Sequence, residues 1–181
     1  MVFACGRPPQ KLQKRDIGHE VEVIREEMEP VIPESAVTAD FGGGPDVFYA
    51  YIKRIDPENA VTYIGFEKDR FPEVKIPKTY GAVLSSLHFE GYDGDLLLVT
   101  AKLKDTNFNK YFLYILRDSL WKPMTNGFAI HKSHLSDTLV PISPNPNKPN
   151  ELLRYYSVFD LDNSNGAGYT WRLLRESVPI E

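Results

Sequence analysis

Carboxylates are the residues of this 181-residue chain best suited to acid–base chemistry. Asp40, Asp46, Glu90, Asp93 and Asp95 fall in two glycine-containing turns. Glycoside hydrolysis needs two carboxyls about 5 to 10 Å apart, one acting as acid and the other as base or nucleophile. The same residues also make ordinary solvated turns, because Asp and Asn side chains bond their own backbone. His88 and Glu90 form a His-x-Glu pair, and alternation along a strand would point both to one face. His131 and His134 are a second pair, three positions apart. Zinc requires three or four converging ligands, and the sequence supplies only these separated pairs. Asp160, Asp162, Asn163 and Asn165 put four oxygen-bearing side chains in one loop, the donor type calcium takes. No cofactor is assigned; calcium is the one candidate, with Asp160, Asp162 and Asn165 as its ligands, although an EF-hand loop would place its glycine one position earlier than Gly166 and the loop also reads as an Asp/Asn-rich turn that caps its own backbone.

Other catalytic motifs are missing. No Gly-x-Ser-x-Gly elbow is present. Gly42-Gly43-Gly44 lacks the Gly-Lys-Ser/Thr that completes a phosphate loop, so it reads as a tight turn. No catalytic residues are assigned. Aromatic side chains offer a different chemistry, stacking on sugars or on a protein partner: Tyr49, Tyr51, Tyr92, Trp121, Tyr155, Tyr156 and Trp171. The ligand-binding candidates are Asp93, Tyr92, His88, Glu90, Asp46 and Trp171.

The elements that must carry these residues are strands. Hydrophobic residues make up 42% and charged residues 25% of the chain, which is globular usage and argues against wholesale disorder. A net charge of -4 without a basic face argues against nucleic acid as a partner. No apolar run approaches the ~20 residues a membrane helix needs. Ten Tyr, ten Phe and fourteen Pro fit aromatic strands cut by turns. Strand patterns occur at 19–25, 36–41, 47–54, 60–67, 82–89, 96–104, 110–117, 128–132, 138–142, 152–159 and 169–175. The turns between them carry Gly42-Gly43-Gly44-Pro45, Asp56-Pro57, Asp93-Gly94, Asn126-Gly127 and Asn163-Ser164-Asn165-Gly166.

Three stretches repeat. A copy starting at Asp46 and another at Asp95 run together without a gap, setting Lys53 against Lys102, Asp56 against Asp105 and Lys68-Asp69 against Arg117-Asp118. A third copy starts at Glu151 and ends in Leu174-Arg175-Glu176-Ser177, echoing Leu116-Arg117-Asp118-Ser119. Each copy reads as a strand, a polar turn and a returning strand. A lone hairpin cannot bury its apolar face, whereas stacked copies can. The period of about 50 residues is that of a β-propeller blade.

Three loops resemble known families. Asp40-Phe41-Gly42-Gly43-Gly44-Pro45-Asp46 and Glu90-Gly91-Tyr92-Asp93-Gly94-Asp95 resemble the loops of FG-GAP and VCBS propeller repeats, without their regular acidic ladder. Ser164-Asn165-Gly166-Ala167-Gly168-Tyr169-Thr170-Trp171 is similar to the Asp-box of sialidase-type propellers, with Gly166 in place of the Asp. These resemblances imply an all-β, propeller-like fold of repeated antiparallel hairpins. Three units are few for a closed propeller, so a β-sandwich or an up-and-down barrel is the alternative.

At the start, Met1-Val2-Phe3-Ala4-Cys5-Gly6 resembles the end of a bacterial lipoprotein signal, with Cys5, the chain's single cysteine, as the lipidated residue. The resemblance implies a tether over 1–18, a β-rich repeat domain over 19–181 and a place in the cell envelope, with a lipid anchor as the membrane contact. The expected function is recognition of a glycan or protein ligand by turns on a rigid scaffold. The alternatives are a glycoside-active enzyme and a purely structural envelope protein.

Overall fold

The computed structural model of the chain describes residues 31–162, 166 and 168–180, with the backbone alone at Asp162. Cys5, the strand expected over 19–25, Asn163 and Asn165 lie outside the described residues.

Three antiparallel sheets follow one another along the chain. The first contains β1 (Val37–Ala39), β2 (Phe48–Asp56), β3 (Val61–Phe66) and β4 (Val74–Pro77), each paired with the next. The second contains β5 (Ala82–Leu87), β6 (Leu96–Lys102), β7 (Phe108–Arg117) and β8 (Leu120–Pro123) in the same order. There β9 (Phe128–His131) pairs with the starting half of β7 and β8 with its ending half. The third sheet is β10 (Ile142–Pro144), β11 (Glu151–Asp162) and β12 (Gly168–Pro179). The three repeated stretches fall on the hairpins β2–β3, β6–β7 and β11–β12.

No sheet closes. An up-and-down barrel would need β5 hydrogen-bonded to β8, and these strands lie at opposite edges. The sheets stack instead as a sandwich, and β6 shows why. Leu96-Leu97-Leu98-Val99 is buried throughout, and alternate residues of a strand point to opposite faces. Leu97, Val99 and Ala101 join Phe41, Phe48, Ile64, Phe66 and Ile76 in a core shared with the first sheet. Leu96 and Leu98 join Leu113, Ile115, Met124, Ile130, Ile142 and Leu152 in a second core reaching the third sheet. A strand buried on both faces reads as a continuous apolar run, and each fully buried Leu contributes about 1.5–3 kcal/mol.

Two strands were not expected from the sequence, β4 and β8. Both have four residues, end in Pro and carry a Lys. That is how edge strands are kept short and unattractive to other chains, and it leaves little pattern to read. Both are preceded by backbone in the left-handed region, at Lys68 and Asp69 before β4 and at Asp118 and Ser119 before β8. The latter two form the two-residue turn closing Arg117 against Leu120.

Candidate functional site

The loops β1–β2 and β5–β6 are interlocked. The Asp95 N–H donates to the Asp40 carbonyl at 2.7 Å, and the Asp40 N–H donates to Asp95 Oδ2 at 3.2 Å. Asp40 Oδ1 accepts from the Gly44 N–H at 3.0 Å, tightening its own loop. Two glycines make the approach. Gly43 has φ +70°, and a Cβ there would fall on the Asp93 backbone. A Cβ on Gly94 would lie 2.7 Å from the Phe41 carbonyl oxygen and 2.8 Å from the Gly43 nitrogen.

The β10–β11 loop is rigid in another way. Asn145 is buried; its Nδ2 donates to Ser177 Oγ at 2.7 Å, and its Oδ1 accepts from the Asn147 N–H at 3.0 Å. The Asn145 N–H reaches the Glu151 carbonyl at 3.0 Å, and the Ile180 N–H reaches the Asn150 carbonyl at 3.2 Å.

These three loops, each joining the first two strands of its sheet, line one cleft of about 1240 Å³. Phe41 and Gly42 come from the first loop, residues 90–94 from the second, and Asn145, Pro146, Pro149 and Asn150 from the third. Apolar walls come from Ile115, Leu116 and Leu152, and polar groups from Glu90, Asp93, Arg117, Asn150 and Glu151. Arg117 has no carboxylate partner among the described residues. Burial raises the Tyr92 phenol above its ordinary value, an effect the Arg117 charge partly offsets. Glu151 is held below the usual carboxylate value, chiefly by the Ser177 hydroxyl that donates to it and then by Lys148.

Of the residues singled out from sequence, Glu90, Tyr92 and Asp93 are together on the cleft. His88 sits beside them, with Nδ1 3.0 Å from Asp95 Oδ1. The expectation that a strand carries His88 and Glu90 on one face is not met: β5 ends at Leu87. The chain turns there because Phe89 inserts into the core, 6% exposed, and its carbonyl accepts from the Tyr92 N–H at 3.2 Å. Asp46 is not on this cleft. It ion-pairs with Arg70, which lowers its pKa, in a smaller hollow formed with Val47, Glu67 and Lys68.

Trp171 lies at the other end of the sheets. It stacks on His131 at 4.6 Å and 11°, with Phe108 edge-on at 5.1 Å and Phe159 tilted at 5.2 Å. His134 Nδ1 bonds Ser157 Oγ at 2.9 Å, which also accepts from the His131 N–H at 2.9 Å, pinning the turn after β9 to β11. Trp121 is a core residue, not a surface platform: it stacks on Phe66 at 4.8 Å with Phe41 edge-on at 5.3 Å. Its Nε1–H is buried without a hydrogen-bond partner among the described residues. Tyr155 and Tyr156 both pack on the second core.

Asp160 bonds Arg172 at 3.3 Å and accepts from the Leu161 N–H at 2.8 Å. Asn165 and the Asp162 side chain lie outside the described residues. Among the described residues no group of three or more His, Cys, Asp or Glu could hold a metal ion. No helix there is long and apolar enough to cross a membrane.

Sequence reasoning missed Arg117, Asn145 and Asn150 as site residues. The alternation of Pro and Asn over 144–150 marks a turn. The clue to its role was its position: it precedes the third repeated stretch as the two Asp–Gly loops precede the first and second. Comparisons with protein-family models, curated proteins and solved structures found no match, so the cleft is read from its own chemistry.

Proposed function

We propose that this protein is a recognition domain whose cleft binds a glycan, or a protein segment of similar polarity, and that it does so without chemistry. The observation that carries this reading is the convergence of three corresponding loops on one cleft. Small-molecule pockets measure about 300–1,000 Å³, so a hollow of about 1240 Å³ suits an oligomeric ligand better than a monosaccharide. Leu116 and the Tyr92 ring suit sugar C–H faces, and Arg117, Asn150, Glu90 and Asp93 suit hydroxyls. Phe41 and Leu152 are already buried, so the phenol of Tyr92 is the more accessible stacking group.

The arrangement is propeller-like in this reading: three successive meander sheets, each presenting its first loop at the same end. The repeat and the lipid-anchored envelope location through Cys5 belong to the same proposal and rest on the sequence resemblances. A thermal-shift titration with a panel of oligosaccharides tests it. Saturable stabilisation is expected from one sugar class, because a ligand that binds only the native state raises its Tm. Tyr92→Ala and Arg117→Ala should remove the shift while leaving the ligand-free Tm within about 2–4 °C. Absence of any shift across oligosaccharides and peptides would sink the reading.

Glu90, Asp93 and Glu151 on one cleft favour a second reading, glycoside hydrolysis. It requires product release from whichever sugar binds, lost in Glu90→Gln or Asp93→Asn with binding retained. Binding without turnover excludes it.

A further inference from the structure

Among the described residues, the third sheet lacks a strand that the other two possess. β4 covers the outer edge of β3, and β8 covers that of β7. β12 holds the corresponding place and, among the described residues, has no strand on its outer edge. It is twelve residues long, against four for β4 and β8, so its edge offers a long row of backbone donors and acceptors. Such an edge is a template for another strand.

We propose that the free edge of β12 pairs antiparallel with β12 of a second copy of this chain, about a two-fold axis at Leu174. The register follows from symmetry and charge. Directly opposite residues in an antiparallel pair alternate between hydrogen-bonded and open pairs, so a two-fold axis must pass through a residue facing itself. An axis at Arg172, Arg175 or Glu176 opposes like charges, which is destabilising. An axis at Leu173 sets Arg172 against Leu174 and Glu176 against Thr170. An axis at Leu174 sets Arg172 against Glu176 of the second copy, twice over. Thr170 then faces Val178, and Pro179, which has no N–H, falls just outside this stretch.

The sheet is already wired for that contact. Arg154 lies directly opposite Glu176 in the β11–β12 ladder, and its Nε donates to Glu176 Oε1 at 2.7 Å. Arg172 bonds Asp160 at 3.3 Å. Even-numbered residues of the two strands share one face, so pairing continues the row as Arg154, Glu176 and Arg172 of the second copy, whose Asp160 partner sits diagonally, one same-face position along its own β11. The interface is isologous, as a closed dimer requires.

Sedimentation of the whole 181-residue chain tests the proposal. At about 100 μM the dimer is expected to dominate, as it would for any Kd near 1 μM or tighter. Arg172→Glu should weaken association by about tenfold or more, and its circular dichroism reports whether the sheets persist. In a Cys5→Ser background, Leu174→Cys is expected to form an intermolecular disulfide on oxidation, and Thr170→Cys is not. A monomer at that concentration overturns the proposal. So does a dimer indifferent to Arg172→Glu, or one that cross-links through Thr170→Cys and not Leu174→Cys.

Discussion

Gly42, Gly43 and Gly44 are three chemically identical residues in a row, and the structure assigns them unequal worth. A Cβ on Gly42 or Gly44 meets nothing within 4 Å. A Cβ on Gly43 falls on the Asp93 backbone, at a φ of +70°. The cost of Gly43→Ala has two parts. The left-handed conformation costs an L-residue about 1–2 kcal/mol. The steric overlap is with backbone, which cannot swing aside, so the loops must part. Parting loses the Asp95 N–H to Asp40 carbonyl bond and the Asp40 N–H to Asp95 carboxylate bond. Such bonds contribute about 1 kcal/mol when neutral and 1.5–3 when one partner is charged, less at this partly exposed site. The sum is about 3–4 kcal/mol. Gly94→Ala should cost about 2–3 kcal/mol, because it meets the Phe41 and Gly43 backbone without positive φ. Gly42→Ala and Gly44→Ala should lie within about 0.5 kcal/mol of wild type or stabilise slightly, since they restrict only the unfolded chain. Urea denaturation reads all four, with unchanged m-values showing that the denatured state is comparable. If Gly43→Ala and Gly42→Ala unfold at the same midpoint, the interlocked loops are not a feature of the molecule. The account of the cleft built on them then fails too.

Four further outcomes follow from particular contacts. Ser119 holds φ 61° in the β7–β8 turn, so Ser119→Gly should raise stability by about 0.5–1 kcal/mol in the same denaturation assay. Trp121→Phe keeps a ring against Phe66 and removes the unpartnered Nε1–H. The lost packing and the relieved donor, about 1–3 kcal/mol, should nearly cancel, whereas Trp121→Ala should cost about 3–5 kcal/mol. Burial pushes the Tyr114 phenol up to about 12 from 10.0. Its contribution to stability is therefore complete below pH 10.0 and lost as pH rises towards 12, so absorbance at the tyrosinate band and loss of near-ultraviolet dichroism should rise together over that window. Glu151 behaves oppositely: its folded value lies below 4.5, so its contribution is complete above pH 4.5 and is lost as pH falls through the lower folded value. Glu151→Gln should flatten the acid limb of the Tm–pH curve.

What could be read from the sequence was what repeats at short range. Period-two alternation and Asp–Gly turns located most strands of the described region, and the ungapped match of Asp46 with Asp95 marked the central hairpins of the first two sheets. β10 was expected at 138–142 and begins at Ile142, because Pro141 has no N–H to give and its carbonyl instead accepts from Tyr155. β4 and β8 were invisible because four residues ending in Pro carry no periodicity. The site was half legible for a related reason. Glu90, Tyr92 and Asp93 stood out by residue type within one loop, whereas Arg117, Asn145 and Asn150 join them only through the stacking of three sheets. Trp171 has the right chemistry for a binding platform, but it sits on the strand ends away from the cleft.

That separation constrains how the molecule can work. β7 runs from Phe108, in the Trp171 cluster, to Arg117 on the cleft, and at about 3.3 Å per residue its length is about 30 Å. Along the way Leu113 is fully buried and Tyr111 and Ile115 are nearly so in the second core, while Phe112, Tyr114 and Leu116 pack on the first. A strand packed on both faces in this way has no hinge of its own. The cleft loops are fixed by backbone contacts at Gly43 and Gly94 and by the Asn145 side chain. A ligand therefore meets a cleft that already has its shape, and little loop-ordering entropy is lost on binding. On this account mutations in the Trp171 cluster should leave cleft affinity unchanged while altering stability, and Trp171→Ala measured against the oligosaccharide that protects the wild type decides it. A coupled loss of affinity would mean that the two ends of the sheets communicate, which the packing of β7 argues against.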